Sequence, residues 1–376
     1  MIYKQFKDIK LSALGMGCMR LPTIDNDNSK IDTVKTAQMT EYAINNGINY
    51  FDTAWGYHDG NSETIMGEIL KQYPREKFYL ASKFPGYDAS SFGNAKKIFE
   101  KQLEKCQVNY FDFYLFHNVC ELNIDGYLND EKYGDFTYLL KQKENGRIKH
   151  LGFSTHGSLE TVTRFLDVYG KYMEFCQIQL NYMDWEFQNA KALVELLNNR
   201  NIPIWVMEPL RGGKLATLNE FLSKKLKNAR PDETIPAWAF RFLQTIPTVT
   251  VTLSGMSNFE QLKDNIETFS HNRPLNDSEW DLALSVGKAF IEKTSLPCTS
   301  CRYCTTHCPK GLNIPWLIDL YNEHCFTDGG FMAPFALKAS KKNQHPSNCI
   351  GCRACEAVCP QNIEISKMMR DFVSKL

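Results

Sequence analysis

The sequence predicts an α/β protein: a (β/α)8 TIM barrel over residues 1–284, then a small, mainly helical domain over residues 285–376. Three observations carry this. Eight short apolar runs alternate with helical patterns across roughly 260 residues, the count and length of such a barrel. Those runs are nearly continuous in hydrophobicity, as strands buried on both faces of a parallel sheet are. Finally, eight of the thirteen cysteines fall into two copies of one spacing between residues 298 and 359, which marks the tail as a unit of different chemistry.

In chain order, Tyr3–Leu11 reads as a small hairpin covering the barrel floor. The strand candidates are Leu14–Arg20, Ile48–Thr53, Phe78–Phe84, Phe111–His117, His150–Ser154, Phe175–Leu180, Ile202–Met207 and Thr248–Leu253, each rich in β-branched or aromatic residues. Between them lie amphipathic segments such as Asp32–Asn46, Ser62–Gln72, Asn94–Cys106, Ser158–Tyr169 and Phe259–Phe269. Asp32, Ser62, Asn94 and Ser158 read as N-caps, and Asn46-Gly47 closes the first helix. A doubly wound open sheet is the alternative. Its phosphate loop is missing, however, because Gly15-Met16-Gly17 runs into Cys18-Met19-Arg20 rather than a G-x-G-x-x-G. Residues 276–294 read as a helix leading into the tail, where Leu312–His324 and Ile363–Leu376 form two more.

Composition removes several classes. Lys+Arg and Asp+Glu both number 43, with no basic stripe or arm, so no nucleic-acid partner is expected. No run of eighteen apolar residues exists, and the first eight residues lack the apolar centre of a signal peptide, so no membrane partner is expected. The abundance of thiols calls for a reducing compartment, and a cytoplasmic location is expected.

The cysteines carry the most specific signal. Cys298, Cys301, Cys304, Cys308 with Pro309, and Cys349, Cys352, Cys355, Cys359 with Pro360, both read C-x2-C-x2-C-x3-C-P. That run holds [4Fe–4S] clusters in bacterial ferredoxins, which this tail resembles. Disulfides are disfavoured because cysteines three apart rarely bridge well, and zinc sites favour paired CxxC units or histidine partners. In two-cluster ferredoxins the fourth cysteine ligates the other cluster. The resemblance therefore implies Cys298, Cys301, Cys304 and Cys359 around one cluster, and Cys349, Cys352, Cys355 and Cys308 around the other. The stretch between Cys308 and Cys349 is 40 residues, longer than in a minimal ferredoxin. Residues 286–376 carry 11 Lys+Arg against 7 Asp+Glu, an excess that offsets the negative charge of thiolate-bound clusters.

In a barrel, chemistry collects where strands end. Here an acid (Asp52, with Tyr57 close behind), an amine (Lys83) and an imidazole (His117) fall at consecutive strand ends. Singly, each has an ordinary structural reading; together they point to a site. Phe51-Asp52-Thr53-Ala54-Trp55-Gly56-Tyr57, with Asn61-Ser62-Glu63, Gly67, Ser82-Lys83 and Phe116-His117, resembles the aldo-keto reductase signature. The resemblance covers about residues 1–270. It implies a nicotinamide cofactor, NADP or NAD, bound without a Rossmann fold, and a small carbonyl or alcohol substrate. It also assigns Tyr57 as general acid, Lys83 as the cation that lowers its pKa, Asp52 as the partner orienting Lys83, and His117 as the donor to the carbonyl oxygen.

Cofactor contacts implied by the same resemblance are Gly17, Cys18 and Met19 after the first strand, then Ser154 and Gln179 at the carboxamide. Met207, Pro209, Leu210, Gly212 and Lys214 follow the seventh strand, and Gly255, Ser257, Gln261 and Asn265 sit at the adenosine phosphate. Thr155 stands where the family often has Asn, Met207 where an aromatic stacks, and Gln261 where NADP-preferring members carry Arg. Lys263 or Lys214 could meet a 2′-phosphate.

Joining the halves raises an electron count. A nicotinamide moves two electrons as hydride and a cluster moves one, a mismatch a flavin usually mediates, yet no flavin motif is visible. Three arrangements fit the sequence. The clusters are structural or regulatory beside a carbonyl reductase; or they exchange electrons with a flavin, a radical intermediate or an external electron carrier; or the barrel is a non-catalytic nicotinamide-binding subunit of an electron carrier. The intact set Asp52, Tyr57, Lys83 and His117 argues against the last.

Overall fold

The computed structural model of the chain describes residues 1–292, 295–298 and 301–376. Two compact units divide at Val286/Gly287.

The first unit is a closed barrel. Strands β1 (Tyr3–Phe6) and β2 (Ile9–Ser12) pair antiparallel, with Phe6 opposite Ile9 across a tight turn. The barrel strands are β3 (Leu14–Gly17), β4 (Tyr50–Asp52), β5 (Tyr79–Phe84), β6 (Phe111–Val119), β7 (Ile148–Thr155), β8 (Cys176–Gln179), β9 (Ile204–Met207) and β10 (Val249–Ser254). All pair parallel in sequence order, and β10 closes on β3. This is the (β/α)8 architecture expected, and the open doubly wound sheet is set aside.

The hairpin plugs the floor, as the sequence predicts. Phe6 packs edge-on against Trp205 (5.1 Å between centroids) and His150 (5.0 Å), and tilted on Phe113 (5.8 Å). Tyr50, Ala81, Phe113, Leu115, Phe175, Trp205, Val251 and Leu253 complete the barrel interior. Inward side chains at alternate positions along each strand thus fill the lower barrel with aromatic rings, which leaves polar chemistry to the upper rim.

Around the barrel, helices Thr33–Asn45, Ser62–Leu70, Ala95–Cys106, Leu159–Tyr169 and Phe259–Ser270 match the amphipathic segments read from sequence. Asp32 and Ser158 cap as expected, accepting from the amides of Lys35 and Thr161. Two cap readings change. The cap before Ser62 is Asn61, and Ser62 turns its hydroxyl inward to the carbonyl of Cys18 (2.9 Å). Asn94 occupies a cap position without a side-chain bond to the helix, its amide donating instead to the carbonyl of Ser90 (3.0 Å).

Helix Asp277–Glu292 follows; residues 293–294 of the helix expected over 276–294 lie outside the described residues. In the second unit, Ile314–Phe326 and Ile365–Lys375 match the two expected helices, each starting two residues later. Met332–Ala339 is a further helix, unread from sequence, lying between the two cysteine runs. Leu312, Leu317, Ile318, Leu337, Ile363, Ile365, Met369 and Phe372 form a separate small core. Among the described residues no helix is long and apolar enough to cross a membrane.

Candidate active site and cluster sites

The upper rim assembles three of the four expected side chains by direct bonds. Lys83, on β5, is fully buried. Its ammonium donates to Asp52 Oδ1 at 2.6 Å, to the Thr53 carbonyl at 2.9 Å and to the Tyr57 hydroxyl oxygen at 3.2 Å. That geometry satisfies all three ammonium hydrogens, leaving the phenol's own proton free to point elsewhere. His117 stands beside them, its ring 5.9 Å from that of Tyr57 and edge-on.

The electrostatics differ in one respect from the sequence expectation. Burial pushes the Tyr57 phenol above the usual value, and Lys83 opposes this without overcoming it. The phenol is therefore protonated at neutral pH, as a proton donor must be. Burial works against the charge on Lys83, but Asp52 and Tyr57 outweigh it and hold the ammonium protonated. Burial, then Lys83 and His156, drives His117 well below the usual imidazole value, so its ring is neutral.

Beneath Lys83 lies a buried polar network that joins the signature residues Glu63 and Ser82 to Gln102, which the sequence did not single out. Gln102 donates to Glu63 Oε1 (2.6 Å), Ser82 Oγ (2.9 Å) and the Lys83 carbonyl (3.0 Å), and accepts from Tyr114 (2.5 Å). Lys105 neutralises Glu63 at 2.8 Å. Gly67 belongs to the same packing: a Cβ there would sit 2.4 Å from the Lys105 carbonyl oxygen.

The residues aligned with cofactor contacts fall into three places. At the first strand end, Cys18 donates its amide to the Asp52 carbonyl (2.8 Å); its thiol is buried and burial pushes it far up, while Met19 is exposed. Gly17 lies against Ser254. At the second place, Ser154 Oγ accepts from the Asn118 amide (2.8 Å), and Gln179 pairs in register with Met207. Thr155 turns away to the Val119 carbonyl (2.6 Å) and offers nothing to the rim. Asn118 sits in a β-bulge at φ 55°, a conformation Asn tolerates, with Oδ1 buried and unpartnered.

At the third place, Gly212 and Gly255 flank Arg20. Hypothetical Cβ atoms on these glycines would meet its side chain at 3.4 and 3.0 Å. Ser257 donates to the Arg20 carbonyl (2.9 Å), and Gln261 accepts from the Ser257 amide (2.8 Å). Arg20 was not singled out from sequence; only folding brings it between two loops some 200 residues away. Pro209, Leu210 and Lys214 belong to the same loop after β9. Asn265 does not reach this surface, since it is buried and donates to Ser254 Oγ (3.0 Å). Lys263 lies over the rings of Tyr42 and Phe259, 5.8 Å from each.

In the second unit the eight motif cysteines divide between two cavities. Cys298, Cys301, Cys304 and Cys359 line one; Cys308, Cys349, Cys352 and Cys355 line the other. Each cavity thus takes three thiols from one run and the fourth from the other. Ile365 lines both. Among the described residues no group of three or more His, Cys, Asp or Glu is arranged for a metal ion; the thiols ring voids instead. Burial, with Glu356 next and Cys349 and Cys308 adding, pushes Cys355 up to about 11, so thiolates there call for strong positive charge between them. Four thiols around an apolar-walled void fit an iron–sulfur cubane.

An eight-stranded parallel barrel with a rim of Asp, Tyr, Lys and His defines an oxidoreductase class, and comparison gives the family. The sequence pattern of the Aldo/keto reductase family matches residues 13–286, and that of the 4Fe-4S dicluster domain matches residues 297–364. The chain belongs to the aldo/keto reductase family and carries a fused 4Fe-4S dicluster domain. It is 27% identical over 319 residues to the uncharacterized oxidoreductase YqkF of Bacillus subtilis, covering 76% of this chain and 96% of that one. Against a probable aldo-keto reductase 1 of Glycine max it is 29% identical over 213 residues, 54% of this chain and 57% of the relative. The NADH-specific methylglyoxal reductase of Escherichia coli is 23% identical over 75% of this chain and 97% of its own. Among solved structures, the aldo-keto reductase AKR11C1 of Bacillus halodurans in its holo form shares the fold at TM-score 0.60 and 22% identity, covering 76% of this chain and 96% of its own.

Proposed function

We propose that this chain reduces a small aldehyde or ketone with NADH or NADPH, with Tyr57 as the general acid, and binds two [4Fe–4S] clusters in its C-terminal domain. The observation that carries the reading is the Lys83 ammonium bridging Asp52 and Tyr57 in a fully buried position. One relative, named NADH-specific methylglyoxal reductase, and a Klebsiella pneumoniae aldo-keto reductase solved with NADPH support the substrate and cofactor classes.

When bound, the nicotinamide supplies a hydride to the carbonyl carbon, and negative charge grows on the carbonyl oxygen. Tyr57 gives that oxygen its proton. Lys83 stabilises the charge left on the phenolic oxygen, and Asp52 fixes Lys83 in place. His117, neutral, donates an N–H to the same carbonyl oxygen and so orients it. Ser154 and Gln179 would hold the carboxamide, and Arg20 with the glycines of the two loops would meet a phosphate of the dinucleotide. The clusters, held by Cys298, Cys301, Cys304, Cys359 and by Cys349, Cys352, Cys355, Cys308, supply one-electron chemistry when bound.

Replacing Tyr57 by Phe tests the reading. Reduction of an aldehyde panel that includes methylglyoxal should fall at least a hundredfold while dinucleotide affinity holds. Retained turnover in that variant would remove the assignment. Anaerobic titration with NADH or NADPH, followed by EPR, then decides whether the clusters take electrons from the barrel.

A further inference from the structure

The rim holds a buried carboxylate that the proposed chemistry does not use. Asp184, just beyond β8, is fully buried. It accepts from Gln179 Nε2 at 2.8 Å, from Asn181 Nδ2 at 2.7 Å and from Arg211 Nε at 3.0 Å. Arg211 and Asn181 are themselves buried. Asn181 folds the segment back on itself, its Oδ1 accepting from the amides of Met183 and Asp184, and its Nδ2 also reaching the Glu208 carbonyl (3.0 Å). Asp184 therefore joins the end of β8 to the loop after β9, two of the segments assigned to the dinucleotide.

The hydrogen-bond logic of this junction is one-directional. An ionised carboxylate can only accept. Paired with the Arg211 guanidinium, Asp184 presents its oxygens as acceptors, so Gln179 turns its NH2 toward Asp184. An amide whose O and N positions are otherwise interchangeable is thereby locked in one orientation. The remaining Gln179 atom, Oε1, is an acceptor only and has no hydrogen-bond partner among the described residues. A carboxamide needs two complementary contacts, a donor for its C=O and an acceptor for its NH2. Ser154 supplies the first, because its oxygen already accepts from the Asn118 amide and its proton is left to donate.

We propose that Asp184 is a positioning residue that fixes Gln179 as an acceptor, so that the rim selects a dinucleotide bearing a primary carboxamide NH2. This rests on the nicotinamide-dependent reading above but is tested by binding alone, so it does not stand or fall with turnover.

The experiment is calorimetric titration of the full, anaerobically purified chain with NADPH or NADH and with the corresponding reduced 3-acetylpyridine dinucleotide, in which a methyl ketone replaces the amide and the NH2 is gone. The wild-type chain should favour the amide by about tenfold or more, since a site built to pair an N–H rejects the analogue lacking it. In Asp184→Asn the new amide can donate to Gln179, which is then free to flip, and that preference should collapse toward unity through loss of amide binding only. Gln179→Leu, which leaves the Asp184–Arg211 pair intact, should erase the preference in the same way and covers the case in which Asp184→Asn does not fold. Equal losses for both dinucleotides in the two variants, an unchanged preference in either, or a wild-type chain that does not distinguish the two would each overturn the proposal.

Discussion

Replacing Lys83 by Met isolates the electrostatic part of the proposed catalysis. The ammonium sits 3.2 Å from the Tyr57 oxygen. At an effective dielectric of about 20, a unit charge at that separation from a full phenolate is worth about 5 kcal/mol. With the proton half transferred, roughly half of this is felt, about 2.5 kcal/mol, or close to a hundredfold in rate. The substitution also strands Asp52, whose Oδ2 already lacks a partner, as a buried unpaired carboxylate. Breaking such a pair costs about 3–5 kcal/mol of stability, so the double variant Lys83→Met/Asp52→Asn is the better-behaved protein. The assay is steady-state kcat for aldehyde reduction from pH 6 to 10, with dinucleotide affinity measured alongside. In the wild type, kcat should stay level across this range, because burial holds the Tyr57 phenol above its ordinary value and the donor stays protonated. In the double variant kcat should drop about a hundredfold, and affinity should stay within about threefold. A double variant that keeps kcat within threefold of wild type would refute the reasoning, because the cation bonded to Tyr57 would then contribute nothing.

Other expectations follow from the same geometry. Cys359→Ser should remove the cluster of the first cysteine run, 298–304, and leave that of its own run, so iron content falls by about half; loss confined to the second run would reverse the ligand assignment. Glu174, beneath the barrel, accepts from Lys7, Lys143 and His150, and these bonds outweigh burial and hold its carboxyl below the usual range. A lowered carboxylate stabilises the fold above its unfolded value and loses that contribution as pH falls through the folded value, so Glu174→Gln should lower unfolding free energy at pH 7 by about 1–2 kcal/mol, and progressively less in acid, by denaturant titration. Gly67→Ala should destabilise by about 2 kcal/mol or more, because the added Cβ meets helix backbone rather than a side chain that can swing aside, and denaturant unfolding measures it. Phe113→Ala, at the centre of the floor cluster of Phe6, Tyr50, Phe175 and Trp205, should cost about 3–5 kcal/mol by the same measurement.

Much of the barrel was legible because each strand announces itself locally. Eight apolar runs at regular spacing need no partner to be recognised, and all eight strands stand where those runs are. The strand ends moved by a few residues: the first was read to Arg20 but stops at Gly17, and the fourth continues past His117 to Val119 through a bulge. A bulge depends on what the neighbouring strand offers, which a single run of residues does not encode. The helix Met332–Ala339 is not read from sequence because its eight residues, one of them a proline, are too few to show a helical period.

Chemistry that lives in residue spacing is legible from the chain alone. C-x2-C-x2-C-x3-C-P is complete within twelve residues, and the signature around Asp52 and Tyr57 within seven. Tertiary structure decided what depends on burial and on distant partners. It set Tyr57 above rather than below the ordinary phenol value, because desolvation is a property of the packed rim and no local motif reports it. It tied Thr155 to the Val119 carbonyl and Asn265 to Ser254, and brought Arg20 between Gly212 and Gly255. It also gave Gln179 a carboxylate neighbour that leaves the amide only one orientation.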